Sequence, residues 1–439
     1  MRKMARIIGR ALKRKSYFTV ASYFHFFARI YLFRWKPTVI TVTGSSGKTT
    51  LMHSFRAQLG AQAAYTDRAN STFGIPFHLL GLERKTYRAY EWLLFALLAP
   101  IRAFRTIRPE RLYVTEADAE RPGEGRMLAK LLRPHILVWL SLEEAHGIQY
   151  EPQATSDTHH ALTDEEFLEK VKAAIAREFG YFLEETRSLA VLNRSNRYIE
   201  EESRRTKAEV LFVDTKDAVL LRVQRDSVDF QTSEGELSSP HLIPPDAGLS
   251  LLAVVKVLHY LRASVDSKFT ALTLPPGRSS VFRGIKNTTL IDSSYNATMD
   301  GMRTMLTLFA LYPAQGEKWL VLGDMVEQGK SESLEHAALT PLIEGTQPAR
   351  VILVGPRLKK YTRPLIAQDP DAPAVAAYDF PGEAYEDVIR NMRGGETILF
   401  KGARYLEGIV EKVLLDPSDA SKLCRRESVW VGKRKKWGI

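Results

Sequence analysis

The chain has 439 residues, is 45% hydrophobic, and carries 62 Lys and Arg against 51 Asp and Glu for a net charge of +11. That length supports two or three domains with full cores, and the ordinary composition excludes fibrous and disordered classes. The single cysteine, Cys424, excludes an internal disulfide framework and a cysteine-ligated metal cluster, and points to a reducing cytoplasm.

Positive charge leads the chain. Residues 1–36 hold ten Lys or Arg and no acid, and the first carboxylate is Asp67. Within this stretch SYFTVASYFHFFARIYLF (16–33) is aromatic-rich but interrupted by His25 and Arg29. A spanning helix needs about 20 apolar residues with few charges, so a transmembrane role is not expected. No small-residue cleavage site marks a signal peptide. A helix lying in an anionic membrane interface is the expectation, the alternative being a helix packed on the protein with solvated arginines.

Residues 39–50, VITVTGSSGKTT, read as a strand, a glycine-bracketed turn and a helix. Gly44 and Gly47 let the backbone amides around Ser45 and Ser46 turn towards phosphate oxygens. Lys48 supplies a point charge for the β- and γ-phosphates, Thr49 a hydroxyl for Mg²⁺, and the helix start a favourable dipole. Val42 stands where the common G-x-x-x-x-G-K-[ST] pattern has its first glycine, leaving the shorter T-G-x-x-G-K-T-T form ending at Thr50.

Further on, LMHSFRAQLG reads as a helix closed by Gly60. WLLFALLAPI (92–101) lies among Arg84, Lys85, Arg88, Arg102, Arg105 and Arg108, so residues 84–108 form a second candidate for membrane contact. RLYVTEAD (111–118) is a strand that puts Glu116 at its C-terminal end, where open α/β sheets place ligands. A helix over 123–132 leads to the strand HILVWLSL (135–142), and His146 follows in the next loop. A carboxylate, an imidazole and the loop threonine form a donor set for Mg²⁺. A helix over 164–186, the strand LAVLN (189–193) and a helix near 247–262 complete a mostly parallel arrangement. After the turn-rich LPPGRSS (274–280) the pattern restarts, with four strand–helix alternations up to 414. Residues Lys422 to Ile439 add seven basic residues against Glu427 alone. No nucleic-acid-binding motif accompanies the charge, and nucleic acid is not expected as a partner.

The loop, with Glu116 and His146 following in that order, resembles the Mur ligase family, the ATP-dependent amide-forming enzymes of peptidoglycan synthesis, from about Val39 to Leu414. The resemblance implies metal ligands at Thr49, Glu116 and His146, together with a carbamylated lysine. Lys172 in VKAAI matches that lysine; Lys170 is close by, and Ala174 replaces the family's glutamate. Four stretches are nearest the branch that adds D-alanyl-D-alanine to a UDP-muramoyl tripeptide. They are RANSTFGIPFHLLG (68–81), PGR (276–278) followed by IDSSYNATMDGM (291–302), LGDMVEQG (322–329) and FKGAR (400–404). The first keeps Asn70, Gly74 and Pro76 but has Ser71 and Thr72 for the branch's Asn-Glu.

By that resemblance, Gly44, Ser45, Ser46, Gly47, Lys48, Thr49 and Thr50 hold the ATP phosphates with Arg278, and Asp292, Tyr295 and Asn296 surround the nucleotide. Asn70 and Thr72 meet the acceptor, and Lys401 and Arg404 the carboxylate of the incoming amino acid or dipeptide. Catalysis falls to Lys48, Glu116, His146 and Lys172, with ATP and Mg²⁺ as cofactors. No role emerges for Gly323-Asp324-Met325 beyond a strand-end loop. The implied fold is α/β, a P-loop central domain with a mostly parallel sheet (37–287) plus a C-terminal Rossmann-like α/β domain (288–418). A basic aromatic helical segment (1–36) and a basic tail (419–439) flank them. Two family features are missing: Pro245-Asp246-Ala247 stands about where a His-Asn pair is expected, and no UDP-binding domain precedes the loop. The second departure favours a lipid-linked or polymeric carboxylate acceptor beside the muramoyl peptide. Two rivals stay open, a poly-γ-glutamate or folylpolyglutamate type of ligase and a membrane-associated ATP-binding protein without ligase activity.

Overall fold

A computed structural model describes residues 2–66, 69–85, 88, 90–142, 149–150, 163–326, 331–368 and 372–439, with side chains from residue 16 onwards. The chain forms two compact units, Met1–Asp214 with Lys256–Ala263, and Thr215–Val255 with Ser264–Ile439.

The first unit opens with a long helix, α1 (Arg2–Trp35), followed by β1 (Thr38–Thr43), α2 (Lys48–Leu59), β2 (Ala63–Tyr65), α3 (Gly74–Leu80) and α4 (Tyr90–Arg102). Then come β3 (Leu112–Glu116), α5 (Glu124–Leu132), β4 (Ile136–Trp139), α6 (Asp164–Glu185), β5 (Leu189–Asn193), α7 (Arg197–Glu202) and β6 (Glu209–Val213). The sheet order is β2-β3-β1-β4-β5-β6, and all pairings are parallel. Strands covered on both faces read as continuous apolar runs, as TVITVT and ILVW do. Val42 pairs with both Glu116 and Val138, so the loop after β1 emerges between the ends of β3 and β4. On α1, Phe24, Ala28, Tyr31 and Trp35 recur at helical spacing and sink into the core with Ile75, Phe77 and Tyr113. Thr163 and Glu166 form a capping box that starts α6.

The second unit carries a small antiparallel sheet of β7 (Ala218–Val223), β8 (Val228–Thr232) and β9 (Gly235–Ser239). The helix α8 (Ala247–Tyr260) follows, residues up to Val255 belonging to this unit. The main sheet uses β10 (Ser280–Arg283), β11 (Thr289–Ser293), β12 (Lys318–Gly323), β13 (Arg350–Val354), β14 (Ala374–Tyr378) and β15 (Thr397–Lys401). Its order is β10-β11-β15-β12-β13-β14, parallel except for the β10 edge. Helices α9 (Met299–Leu311), α10 (Pro381–Asn391) and α11 (Glu407–Val413) bury apolar faces, and α12 (Ser428–Lys436) ends the chain. The terminal segment is tied down: Arg434 is buried on Glu411 at 2.8 Å, and Arg426 grips the same carboxylate with two bonds. Among the described residues, no helix is long and apolar enough to cross a membrane.

Candidate active site

At the end of β1 the chain turns through Gly44 (φ 126°) and Gly47 (φ 74°), both left-handed. A Cβ at Gly44 would stand 2.8 Å from the Ser141 carbonyl oxygen, so the position admits no side chain. The Ser45 amide donates to Ser141 O at 3.2 Å and the Ser46 amide to Ser141 Oγ at 2.9 Å, while Ser141 Oγ donates to Ser46 O at 2.7 Å. Ser141, just past β4, thus holds the loop's shape. Helix α2 starts at Lys48 without a side-chain cap, the arrangement that presents first-turn amides and a positive dipole end to an anion. The Lys48 ammonium donates to Gly44 O at 2.5 Å and pairs with Asp118 Oδ2 at 3.0 Å. Thr49 and Thr50 follow, half-buried.

Asp118 belongs to the acid-ended stretch after β3 but is not among the expected site residues. Its carboxylate accepts from the Ala119 amide at 2.9 Å, and its own amide donates to Asn70 O at 2.9 Å. The signal was a second acid two residues beyond Glu116. Asn70 Nδ2 also donates to Glu116 Oε1 at 3.0 Å, so two expected residues do meet. The Glu116 amide donates to Thr66 Oγ1 at 3.1 Å, fixing the strand end. The Thr49 hydroxyl and Glu116 carboxylate are hard oxygen donors of the kind Mg²⁺ takes. His146 lies outside the described residues. Lys172 is half-buried on α6 between the buried Val171 and Ile175. Among the described residues, no three His, Cys, Asp or Glu side chains gather into a metal cluster.

Thr72 is fully buried, and its carbonyl accepts from His25 Nε2 of α1 at 2.7 Å. Burial pushes the His25 imidazole down to about 4. Tyr17 of α1 donates to Glu124 Oε1 at 2.5 Å and packs edge-on against Phe73, so α1 anchors the 70–77 stretch from beneath.

In the second unit, Asp292, Tyr295, Asn296 and Lys401 collect where β11 and β15 end side by side, Ser293 opposite Lys401. Asp292 is completely buried; burial raises its carboxyl above the ordinary range, and Oδ1 accepts from the Ser294 amide at 3.0 Å. Lys401 Nζ donates to Asn296 O at 2.9 Å. Burial, reinforced by the Arg278 charge and opposed by Asp292, pushes Lys401 down to about 7. The half-exposed Tyr295 ring lies 4.9 Å from the Arg278 guanidinium and 5.7 Å from that of Arg425.

Arg404 adopts a left-handed backbone (φ 75°) and sends Nε and Nη2 to Asp324 Oδ2 at 3.0 and 2.6 Å, with Trp437 5.2 Å from its guanidinium. Asp324 is fully buried and also accepts from the Leu358 amide at 3.0 Å. A Cβ on Gly323 would collide with the Ala403 carbonyl, and one on Gly355 with the Asp324 carboxylate. Gly323-Asp324 therefore does more than end a strand: it lets two backbones touch and orients Arg404. Arg425 holds the other loop, donating to Tyr295 O at 2.6 Å, Ser294 O at 3.2 Å and Glu407 Oε2 at 3.1 Å. Neither Arg425 nor Trp437 stands out in a basic tail whose charges look alike in sequence.

Residues 277–404 match the family model of the Mur ligase glutamate ligase domain. Over that stretch the chain is similar to the Mur ligases. Over 348 residues it is 26% identical to the UDP-N-acetylmuramoyl-tripeptide–D-alanyl-D-alanine ligase of Mycobacterium tuberculosis (strain ATCC 25618 / H37Rv), covering 72% of this chain. It spans only 58% of that relative's length. The enzyme of the same name from Bacillus subtilis (strain 168) is 22% identical over 411 residues, 89% of this chain and 79% of the relative. The Mur ligase fold is matched in the MurF ligase of Thermotoga maritima solved with ADP. That structure superimposes with a TM-score of 0.67 at 21% identity, over 89% of this chain and 82% of its own. The α/β architecture, with a parallel sheet behind the Gly44–Thr50 loop and a mixed C-terminal sheet, is the fold the two proteins share.

Proposed function

We propose that this chain is a Mur ligase, an ATP-dependent peptide ligase working through an acyl phosphate. It adds D-alanyl-D-alanine or a similar amino compound to a muramoyl-peptide carboxylate. The observation that carries the proposal is the Gly44–Thr50 loop at the end of β1, with Lys48 on Asp118 and Glu116 on Asn70 beside it. In this reading residues 37–287 handle ATP and acceptor, 288–418 handle the amine, and the reaction runs in the cytoplasm at the inner face of the membrane.

The acceptor carboxylate attacks the γ-phosphorus, the bond to the β-phosphate oxygen breaks, and ADP leaves. The free amine then attacks the acyl carbon, and inorganic phosphate departs from the tetrahedral intermediate with loss of the amine proton. On nucleotide entry the Lys48 ammonium exchanges Gly44 O for phosphate oxygens and offsets charge developing on the transferred group. Thr49 and Glu116, with His146 and a carbamylated Lys172 by the family resemblance, would hold Mg²⁺, which would supply further positive charge to the phosphates. Arg278, between Tyr295 and Lys401, supplies a cation for nucleotide phosphate on the second unit. Lys401 and Arg404 meet the amine substrate's carboxylate, with Asp324 and Trp437 orienting Arg404.

Phosphate release from ATP and Mg²⁺ should require both UDP-muramoyl tripeptide and D-alanyl-D-alanine, with a pentapeptide product by mass. Lys48→Ala should abolish it, and a near-normal rate in that variant would overturn the loop's role. Release that ignores the amine would point to a nucleotide switch, and release with glutamate and a folate to a folylpolyglutamate type of ligase. Silence with all of these from an ATP-binding preparation would remove the reading for nucleotide-linked acceptors and leave lipid-linked muropeptides to be assayed.

A further inference from the structure

Helix α4 is apolar on both sides. One side buries Phe95 and Ala99, while on the other Leu93, Leu97 and Ile101 are 68%, 66% and 69% exposed. A helix apolar all round belongs inside a core or against lipid, and soluble surfaces rarely leave such a face open. Helix α1 runs beside it in the same direction. Tyr23 Oη donates to Ala96 O at 2.6 Å, and one α1 turn after another later Arg34 Nη1 donates to Ala103 O at 2.9 Å. Opposite its buried Phe24, Ala28 and Tyr31, α1 exposes Phe26 (60%) and Phe33 (74%).

The charges on these elements have one sign at the surface. Residues 16–36 and 92–109 contain no acid, whereas Arg29, Arg34, Lys36 and Arg102 are exposed. The one carboxylate of α4, Glu91, is buried, 3.6 Å from Arg84 and bonded to the Lys85 amide at 2.8 Å. The Arg34 guanidinium also lies 5.5 Å from the exposed Phe104 ring. A second copy of the chain would bring like charges together on such a face. A bilayer with anionic headgroups offers both an apolar layer and negative charge.

We propose that the exposed faces of α1 and α4 dock the protein on an anionic lipid surface, apolar side chains entering the headgroup boundary and arginines meeting phosphates. The buried face of α1 holds the Thr72 carbonyl through His25, so the helix that touches lipid also supports the stretch next to Asn70. Docking stands apart from ligase chemistry: vesicle binding neither needs nor tests acyl transfer.

The test is flotation of the full chain with vesicles of phosphatidylcholine alone or mixed with phosphatidylglycerol. Binding should require the anionic lipid and weaken with salt. The double substitution Leu97→Glu with Ile101→Glu should lower vesicle affinity by about tenfold or more, since two buried leucine-sized groups are lost and two charges repelled. Its melting curve should be unchanged, because both side chains are exposed in the free protein. Val219→Glu with Leu221→Glu, exposed on β7 of the other unit, should bind like the parent. Three results would overturn the proposal. One is no binding to anionic vesicles. Another is equal binding by the α4 variant, which would leave charge alone responsible. The third is a solution dimer dispersed by that variant, which would reassign the face to a second copy.

Discussion

Replacing Asp324 with Ala should destabilise the second unit by about 3–5 kcal/mol, the cost of removing one partner from a buried ion pair. Asp324 is fully buried, receives two bonds from Arg404 and one from the Leu358 amide, and lies 3.6 Å from Arg357. Truncation leaves Arg404, whose side chain is only 17% exposed, without its carboxylate, and leaves the Leu358 amide without an acceptor. At about 2–4 °C per kcal/mol for a unit of this size, melting should fall by about 6–20 °C. Thermal and urea unfolding followed by tryptophan fluorescence would read this, since Trp319, Trp430 and Trp437 all lie in the unit. Lys359→Ala serves as control: it breaks the exposed 2.7 Å pair with Asp379 and should cost under about 1 kcal/mol. Arg404→Met combined with Asp324→Ala should cost less than the sum of the singles by about 0.5–3 kcal/mol, because each single strands the other's partner. A loss no larger than that of Lys359→Ala, or strict additivity of the two singles, would refute the reasoning.

Three other outcomes are expected. Gly323→Ala should lower the urea midpoint by the equivalent of about 1–3 kcal/mol or more, because the new methyl meets the Ala403 backbone; an unchanged midpoint would contradict that close approach. Lys401, pushed down to about 7, is uncharged in the folded state where the unfolded chain still binds its proton. Stability should therefore rise with pH between about 7 and 10, by at most about 1.4 kcal/mol per unit, and Lys401→Met should flatten that rise. An identical slope in the variant would show that Lys401 is not the group responsible. His25, pushed down to about 4, has the same sign at lower pH: full stability above about 6.5, lost as the medium acidifies towards 4. His25→Gln keeps a donor for Thr72 O without titrating, so its stability measured across that window should be flatter than the parent's.

The conformation of the Gly44–Thr50 loop was legible because everything that makes it is local. A β-branched apolar run, two glycines and the Lys-Thr-Thr start of a helix specify conformation within a dozen residues, and the strand, the left-handed glycines and the uncapped helix start all agree. The strands β3, β4, β11, β12 and β15 were equally readable, since parallel strands covered on both sides are written as unbroken apolar runs. The small sheet β7–β9 was not. Its β7 strand has exposed Val219 and Leu221 and no regular alternation, so pairing rather than pattern defines it.

The amino-acid sequence alone determined the α/β class, the glycine-bracketed loop with its lysine and threonines, and an N-terminal stretch whose surface charge is all positive. These depend on spacing along the chain and on composition, which need no partner to exist. Only the tertiary structure decided that Asp118 is the carboxylate on Lys48, that Asp324 and Trp437 orient Arg404, and that Arg425 holds the loop after β11. Each of those pairs joins residues distant in sequence, and an acid or arginine carries no mark of which opposite charge folding will bring within 3 Å of it. The same holds for α4: its apolar residues were visible from the start, but only the packed chain separates the side chains that fill the core from those left facing outward.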